Sequence, residues 1–311
     1  MTTVPKKIRL NEIADVISDR FSGREAITCY LGSNAATPTA SIESLTRAIE
    51  ARAPRLPFIR MVHLLTQGPV PYVAEGLQDR IMTYSIFSGG SVREAANEGR
   101  AFYLPCTLAN IGGLIGKGQK YEPEIVIMGS RELYDYVHMR SGVQMRPASY
   151  TNASDTIRAN RPFISINTAI GVDLFGNVWA DFIDPRRYYS GVGGQPDFIR
   201  AVNDASIGTP IIALKSLTNK GKSKIVRMHP PGISLTASAY DGVVVVTEYG
   251  IADLRGLTIG NKALAIASIA HPNFRDVLLK EIYDDALFTK PHDFTPGKIP
   301  YGVTLYRDNL D

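Results

Sequence analysis

Two short stretches concentrate the residues that could do chemistry. In Tyr189-Ser190-Gly191-Val192-Gly193-Gly194-Gln195-Pro196-Asp197-Phe198, three glycines fall within four positions, just ahead of a predicted helix. Glycine lets the backbone approach a ligand closely and adopt positive φ. The free N–H groups at a helix start can receive a carboxylate or a thioester oxygen as negative charge develops there. The same pattern also suits a tight strand-to-helix turn that needs glycine only for geometry. In Val243-Val244-Val245-Val246-Thr247-Glu248-Tyr249-Gly250, an apolar strand runs straight into a glutamate. Side chains at the C-terminal ends of parallel strands face the ligand crevice of an open α/β sheet, so Glu248 is a candidate for contact with substrate. A helix N-cap or an ion pair with Arg255 is the competing reading.

Weaker candidates frame these two. His271-Pro272 reads as a helix break with Asn273 helping to start the next helix, and a lone histidine in such a turn is more often structural than catalytic. No second histidine lies at ligand spacing and no metal-site constellation occurs. Residues 105–123 hold four glycines and two prolines, but Gly113-Leu114-Ile115-Gly116-Lys117-Gly118 lacks the spacing and the Lys-Ser/Thr ending of a phosphate loop. That region reads as a connection. Cys29 and Cys106 lie far apart and fit a buried apolar role better than a disulfide or metal role.

Positioning these residues calls for an α/β scaffold, because short apolar runs alternate with amphipathic stretches. Strands are expected at Ala26–Gly32, Phe58–Leu65, Ile81–Phe87, Glu124–Met128, Ile211–Lys215, Ile225–His229 and Val243–Thr247. Their Val/Ile/Leu content suits central strands covered on both faces. Helices are expected at Leu10–Arg20, Ile42–Ala51, Val92–Asn97, Arg131–His138, Asp197–Asp204, Lys262–Ile269 and Asn273–Tyr283. Thr39 or Ser41 is the expected cap of the second helix and Ser91 of the third. Phe163–Ala180 reads as two strands joined at Leu174-Phe175-Gly176-Asn177. The tail from Phe288, with Pro291, Pro296 and Pro300, is expected to pack along the surface or reach a neighbouring subunit.

Bulk composition narrows the function class. The 311 residues are 44% hydrophobic and 21% charged, as in ordinary globular proteins. No apolar run approaches the roughly 20 residues of a membrane span. MTTVPKKIRL has no apolar stretch behind its lysines and does not read as a signal peptide, so the cytoplasm is the expected location. A net charge of +4, from 34 basic and 30 acidic residues, suits a small anionic ligand and falls short of a nucleic-acid footprint.

Taken in order, YYSGVGGQPDFIRA, IIALKSLTNKGKSKIV, VVVVTEYGIADLRG and IASIAHPNFRDVL resemble the acetyl-CoA hydrolase/CoA-transferase family, which includes the 4-hydroxybutyrate CoA-transferases. MGSRELYDYV, the Ser149–Asn152 stretch SYTN, and SINTAIGVDLFGNVWAD match as well, giving near-continuous likeness from about Tyr121 to Tyr283. YLGSNAATPTASIESL, FIRMVHLLTQGPVPY and SVREAANEGRAFYLPCTLANI resemble the family's first part less sharply. The resemblance implies two open α/β/α units of the CoA-transferase type, the first incomplete. Residues 1–115 would form the shortened N-terminal unit, 116–287 the C-terminal unit, and 288–311 the proline-containing tail.

Family members carry a further block between these parts, ending in a Gly-x-His-Thr/Ser-Glu-like motif. Neither His-Thr-Glu nor His-Ser-Glu occurs in this chain. PCTLANIGG runs almost directly into LIGKGQKYEPEIVIMGS, so the chain resembles the family with an internal block deleted. The implied chemistry is covalent catalysis by a carboxylate, in which glutamate attacks an acyl-CoA thioester, expels CoA as thiolate and becomes a mixed anhydride. Thiolate attack then gives a glutamyl-CoA thioester, and the acceptor acid reverses the sequence; relatives that admit water hydrolyse acyl-CoA. By residue, the likeness puts Gly193 and Gly194 beside the reacting carbonyl with Gln195 holding their loop, counts Gly191 with them as substrate- and CoA-binding, and places Pro38 and Thr39 in a substrate-binding loop of the first unit facing the site and Glu248 as a supporting carboxylate. Glu122 and Glu124 match positions without such a role. The implied partners are acyl-CoA as substrate, a small carboxylic acid and a second copy of the chain in a homodimer, with no bound cofactor and no metal. A non-catalytic protein that retains an acyl-CoA or carboxylate pocket is the alternative.

Overall fold

A computed structural model describes residues 8–51, 53, 55–129, 131–203, 208–284, 288 and 298–306. It divides into two compact units, Met1–Cys106 with Asn110–Arg146, and Thr107–Ala109 with Pro147–Asp311. The fold is mixed α/β with parallel sheets, as expected. Among the described residues, no helix is long and apolar enough to cross a membrane.

The first unit is built on five parallel strands, β1 (Ala26–Leu31), β2 (Phe58–His63), β3 (Ile81–Ser85), β4 (Ala101–Tyr103) and β5 (Ile125–Ile127), in the order β4-β3-β2-β1-β5. Alternation along the strands sends Ile27, Cys29, Leu31, Ile59, Met61 and Ile81 to one face, where each is at least 98% buried. That face packs with helices α1 (Ile13–Arg20), α2 (Thr39–Glu50) and α3 (Gly90–Asn97). Ile42, Leu45 and Ile49 make the inward stripe of α2, each worth about 1.5–3 kcal/mol of apolar burial. Parallel strands that follow one another in a single direction from β1 to β4, with crossovers of the usual right hand, are expected to carry their connections on a single face. The opposite face carries the cross-strand row Val126, Tyr30, Val62, Tyr84 and Phe102. Tyr84 packs on Phe102 and Tyr121 at 5.4 and 5.5 Å between ring centres, while Val126 and Phe102 at the two ends are 53% and 47% exposed.

Strand β5 and the helix that follows it, α4 (Arg131–Val137), belong to this first unit. Residues 116–146 were expected in the second; the parallel ladder Cys29–Ile125, Tyr30–Val126 and Leu31–Ile127 holds them in the first. Capping also departs from expectation. The residues preceding α2 and α3 are Pro38 and Gly89, and neither helix has a side-chain cap from Thr39, Ser41 or Ser91.

In the second unit, β6 (Phe163–Asn167), β11 (Gly208–Ala213) and β13 (Val244–Val246) run parallel, with β14 (Gly250–Asp253) and β15 (Val303–Leu305) antiparallel beyond them. The sheet order is β15-β14-β13-β11-β6. A smaller sheet joins β7 (Gly171–Asp173), β8 (Val178–Trp179) and β12 (Ile225–Val226), and β9 (Phe182–Asp184) pairs with β10 (Arg187–Tyr188). Short helices α5 (Ala148–Thr151) and α6 (Ser154–Arg158) precede β6; α7 (Gln195–Val202), α8 (Ile259–Ser268) and α9 (Pro272–Asp284) complete the unit. Ala263, Leu264, Ala265, Ile266 and Ala267 are all at most 1% exposed, so α8 is apolar around most of its circumference because the core surrounds it.

The turn expected at Leu174–Asn177 does join two strands, β7 and β8. The buried Asp173 carboxylate accepts from Phe175 N, Asn177 N, Asn177 Nδ2, His229 N and His229 Nδ1, which fixes that turn, and Gly176 adopts φ 90°. Phe163–Asn167 pairs instead with β11 in the larger sheet, so the stretch 163–180 makes three strands rather than two. From the tail, Val303–Leu305 adds the edge strand β15 and Phe288 is buried against Phe175; Pro291 and Pro296 lie outside the described residues. Asp204, the expected end of α7, lies outside them too.

Candidate active site

The C-terminal ends of the parallel strands β6, β11 and β13 open on one edge of the second unit's sheet, and Glu248 stands there. Val244 and Val245 are buried, which anchors β13. Thr247 then folds the chain back, donating from Oγ1 to Ile269 O at 2.6 Å and accepting Tyr249 N at 3.1 Å. Glu248 is left exposed at the tip of this turn, with both carboxylate oxygens held from the chain just beyond the neighbouring strand β11. Ser216 donates from its N–H to Oε2 at 2.8 Å and from Oγ to Oε1 at 2.7 Å. Ser216 itself is fully buried, and Lys224 N donates to its carbonyl at 2.8 Å.

These contacts set the charge of the site. Partial desolvation pushes the Glu248 carboxyl upward, but hydrogen bonds from the Ser216 hydroxyl and backbone, with His271 nearby, outweigh it and hold the group below the usual carboxylate range. Lys224 is pulled below the usual lysine range by burial, which the Glu248 charge opposes, and its Nζ donates to Ala169 O at 2.6 Å. The pairing expected as an alternative for Glu248 does not form; Arg255 binds Asp253 in a fork, with Nε and Nη2 at 2.9 and 2.7 Å. His271 packs edge-on against Tyr249 at 5.5 Å, and the Arg275 guanidinium lies 5.1 Å from the Tyr249 ring. The ring of His271 accepts Asn273 N at 3.3 Å, so histidine rather than Asn273 supplies the contact at the start of α9.

The glycine loop stands on the same unit. Gly193 takes φ 62°, a left-handed conformation that favours glycine. At Gly194, a Cβ would fall 2.7 Å from Asn152 Nδ2. Both glycines thus have a geometric reason, as the turn reading requires. Asp197, in the first turn of α7, ties the loop down by accepting Asn152 Nδ2 and Ala109 N at 3.1 Å each, and Leu108 N donates to Gly193 O. Gln195 is buried and donates from Nε2 to Thr168 O at 3.3 Å. Thr168 and Ala169 follow β6, so one loop receives both the Gln195 amide and the Lys224 ammonium. Gly191 accepts the Ser190 hydroxyl at 3.2 Å.

Pro38 and Thr39 lie in the first unit. Pro38 is buried, and a Cβ on Gly129 would come within 3.0 Å of its Cα, so it serves to pack the loop after β1 against the loop after β5. Cys29 and Cys106 are both buried and free, and burial pushes the Cys29 thiol up to about 12. Among the described residues no group of three or more His, Cys, Asp or Glu side chains could hold a metal ion. Sequence reasoning missed Ser216 and the Asn152–Asp197 link. Ser216 directly follows the expected strand Ile211–Lys215, so the strand-end rule that singled out Glu248 applied to it equally.

Residues 129–282 match the acetyl-CoA hydrolase/transferase C-terminal domain, which is about half of the chain. The chain belongs to the acetyl-CoA hydrolase/transferase family. The 4-hydroxybutyrate coenzyme A transferase of Clostridium kluyveri is 42% identical over 156 residues, 50% of this chain and 36% of that protein. The succinyl-CoA:cyclohexane-1-carboxylate CoA transferase of Geobacter metallireducens is 37% identical over 49% of this chain and 35% of its own length. An acetyl-CoA hydrolase of Candida albicans is 32% identical over 46% of this chain and 27% of its length. The matched stretch therefore spans about a third of these curated relatives. Among solved structures, RipA from Yersinia pestis gives a TM-score of 0.66 at 16% identity over 90% of this chain and 100% of that one. The 4-hydroxybutyrate CoA-transferase from Porphyromonas gingivalis gives 0.57 at 20% over 89% and 97%. At such identities the likeness is one of fold. The family match contains the glycine loop, Ser216 and Glu248.

Proposed function

We propose that this protein handles CoA thioesters together with small carboxylic acids, in the manner of an acyl-CoA:carboxylate CoA-transferase or acyl-CoA hydrolase. The observation that carries the reading is the family match across the strand-end site of Glu248, Ser216 and the glycine loop. In this reading the backbone at Gly191, Gly193 and Gly194 lies beside the thioester carbonyl, where N–H groups stabilise the oxygen as charge builds during attack. Gln195 keeps that loop in place.

Glu248 serves as a fixed anion rather than as the attacking group. Both of its oxygens accept hydrogen bonds from Ser216, which lowers their availability for attack, and a carboxyl held below its usual range is a weak general base at neutral pH. The nucleophilic glutamate of the family belongs to the block that this chain is read as lacking. That favours a second reading, in which the chain binds acyl-CoA or carboxylate without turning it over.

Incubation of the purified protein with acetyl-CoA and a labelled carboxylate separates the readings. Acyl exchange or CoA release supports the enzyme. Calorimetric binding of CoA without either product supports the binding protein, and a folded sample that neither binds nor reacts removes both.

A further inference from the structure

The helix layer of the first unit stops short of its outermost strand. On β1 the side chains facing that layer, Ile27, Cys29 and Leu31, are at most 1% exposed. On β5, Ile125 and Ile127 stand in register with Cys29 and Leu31 and pack on the same core, yet both remain partly exposed. They line a cavity of about 520 Å³, a size that holds small organic ligands elsewhere.

Most of the remaining wall comes from α1 and the chain before it. Ile13, Val16, Ile17 and Arg20 line the cavity at the i, i+3, i+4, i+7 spacing of one helix stripe, so its apolar side ends in a guanidinium. Arg9 lines it from just before the turn Leu10–Glu12 that leads into α1. Both arginines are exposed, and neither forms an ion pair with a described residue. The one acid in the lining is already answered, because Glu124 accepts Arg24 Nη1 at 2.8 Å and Thr28 N at 2.7 Å. Ser41, in the first turn of α2, adds a hydroxyl. An apolar cavity whose unneutralised charges are both positive complements an anion with a hydrocarbon tail. A peptide backbone or a sugar would leave polar groups unpaired against such walls.

We propose that this cavity binds a medium-chain aliphatic carboxylate, its tail against Ile13, Val16, Ile17, Ile125 and Ile127 and its carboxylate at Arg9 and Arg20. These residues all belong to the first unit, whereas Glu248, Ser216 and the glycine loop belong to the second. The ligand class follows from the walls of the cavity and does not depend on the CoA-thioester reading.

Calorimetric titration of the intact protein with hexanoate, octanoate and decanoate, each below its micelle concentration, provides the test. Each added methylene should tighten binding about fourfold, and acetate should not compete. An Arg9→Gln/Arg20→Gln variant changes two exposed side chains, so it should melt at the wild-type temperature and bind decanoate about tenfold more weakly. Leu10→Glu, which sets an acid at a half-exposed lining position, should weaken decanoate binding as well, while Glu248→Gln should leave it unchanged. Absence of decanoate binding, an affinity independent of tail length, or equal affinity in the wild type and the arginine variant overturns the inference. So does decanoate binding that is lost in Glu248→Gln and kept in the arginine variant, which assigns the ligand to the second unit. A dimer in sedimentation equilibrium that Leu10→Glu dissolves, without decanoate uptake, gives the cavity to a second copy of the chain and overturns it too. Decanoate bound as expected by a protein that neither binds nor turns over CoA esters removes the CoA-thioester reading and supports this one.

Discussion

Acidification from pH 7 to pH 4.5 should weaken the first unit through one buried ring, that of His63 at the C-terminal end of β2. The side chain is fully buried. Its Nε2 faces the Tyr72 hydroxyl at 3.2 Å, the hydroxyl faces Thr66 Oγ1 at 3.1 Å, and its Nδ1 lies 3.4 Å from Leu64 O. Burial pulls the imidazole from 6.5 down to about 4, against the opposing effect of the Leu64 carbonyl. A histidine depressed in the folded state binds fewer protons there than in the unfolded chain. Its contribution is therefore complete above about pH 6.5 and is lost as the pH falls toward 4. The full shift corresponds to roughly 3 kcal/mol, of which about 2 kcal/mol is gone by pH 4.5. His63→Gln retains a hydrogen-bonding group beside Tyr72 and removes the titration. Urea unfolding of both proteins at the two pH values isolates the difference. It should be followed by far-UV circular dichroism, because Trp179, the sole tryptophan, lies in the second unit. The wild type should lose about 2 kcal/mol more than the variant on acidification. Equal losses would show that the ring is not held neutral in the folded state, and the reasoning from burial would fail.

Two further changes probe the second unit. Ser216→Ala removes the 2.7 Å hydroxyl contact while leaving the 2.8 Å backbone one, so the Glu248 carboxyl should titrate closer to the ordinary carboxylate range. Carbon-13 NMR of its carboxyl carbon reads this directly; Ser216→Thr, which keeps a hydroxyl, should restore the lower value. Because Glu248 is depressed in the folded state, its stabilisation is present above the unfolded carboxyl pKa and lost on acidification, and that acid dependence should shrink in Ser216→Ala. Gly194→Ala drives a Cβ to 2.7 Å from Asn152 Nδ2 and 3.4 Å from Phe198, which should cost about 1–3 kcal/mol, read as a lowered melting temperature. An unchanged melting point would show that Asn152 yields freely.

How much of this was legible in the sequence depends on the range of the interaction involved. β1, β2, β3, β5 and β13 fall close to their expected spans because their apolar runs report burial locally. Their partners are not local. β5 was read as opening the second unit, yet its hydrogen bonds go to β1, nearly a hundred residues earlier. Phe163–Asn167 carries the same apolar signal as a hairpin strand, and only its pairing with β11 shows which sheet it joins. The caps failed for a different reason: Pro38 and Gly89 precede α2 and α3 where serine and threonine stood one or more residues further on.

The candidate site divides along the same line. Glu248 was visible because an apolar strand ending in a carboxylate is a local pattern. Whether that carboxylate was a cap, an ion-pair partner or a site residue was not visible, because the deciding partner is 32 residues away. Arg255, seven residues on, was the nearest cation by sequence, but the β13–β14 turn sends the chain back antiparallel and gives Arg255 to Asp253 on the far side. What reaches Glu248 is instead Ser216, three residues beyond the end of β11, the parallel neighbour of β13. In a parallel sheet, residues just beyond the C-terminal ends of adjacent strands are neighbours whatever their separation along the chain. A carboxylate at one such end should therefore be matched first against the ends of the other strands, and here that comparison leads from Glu248 to Ser216.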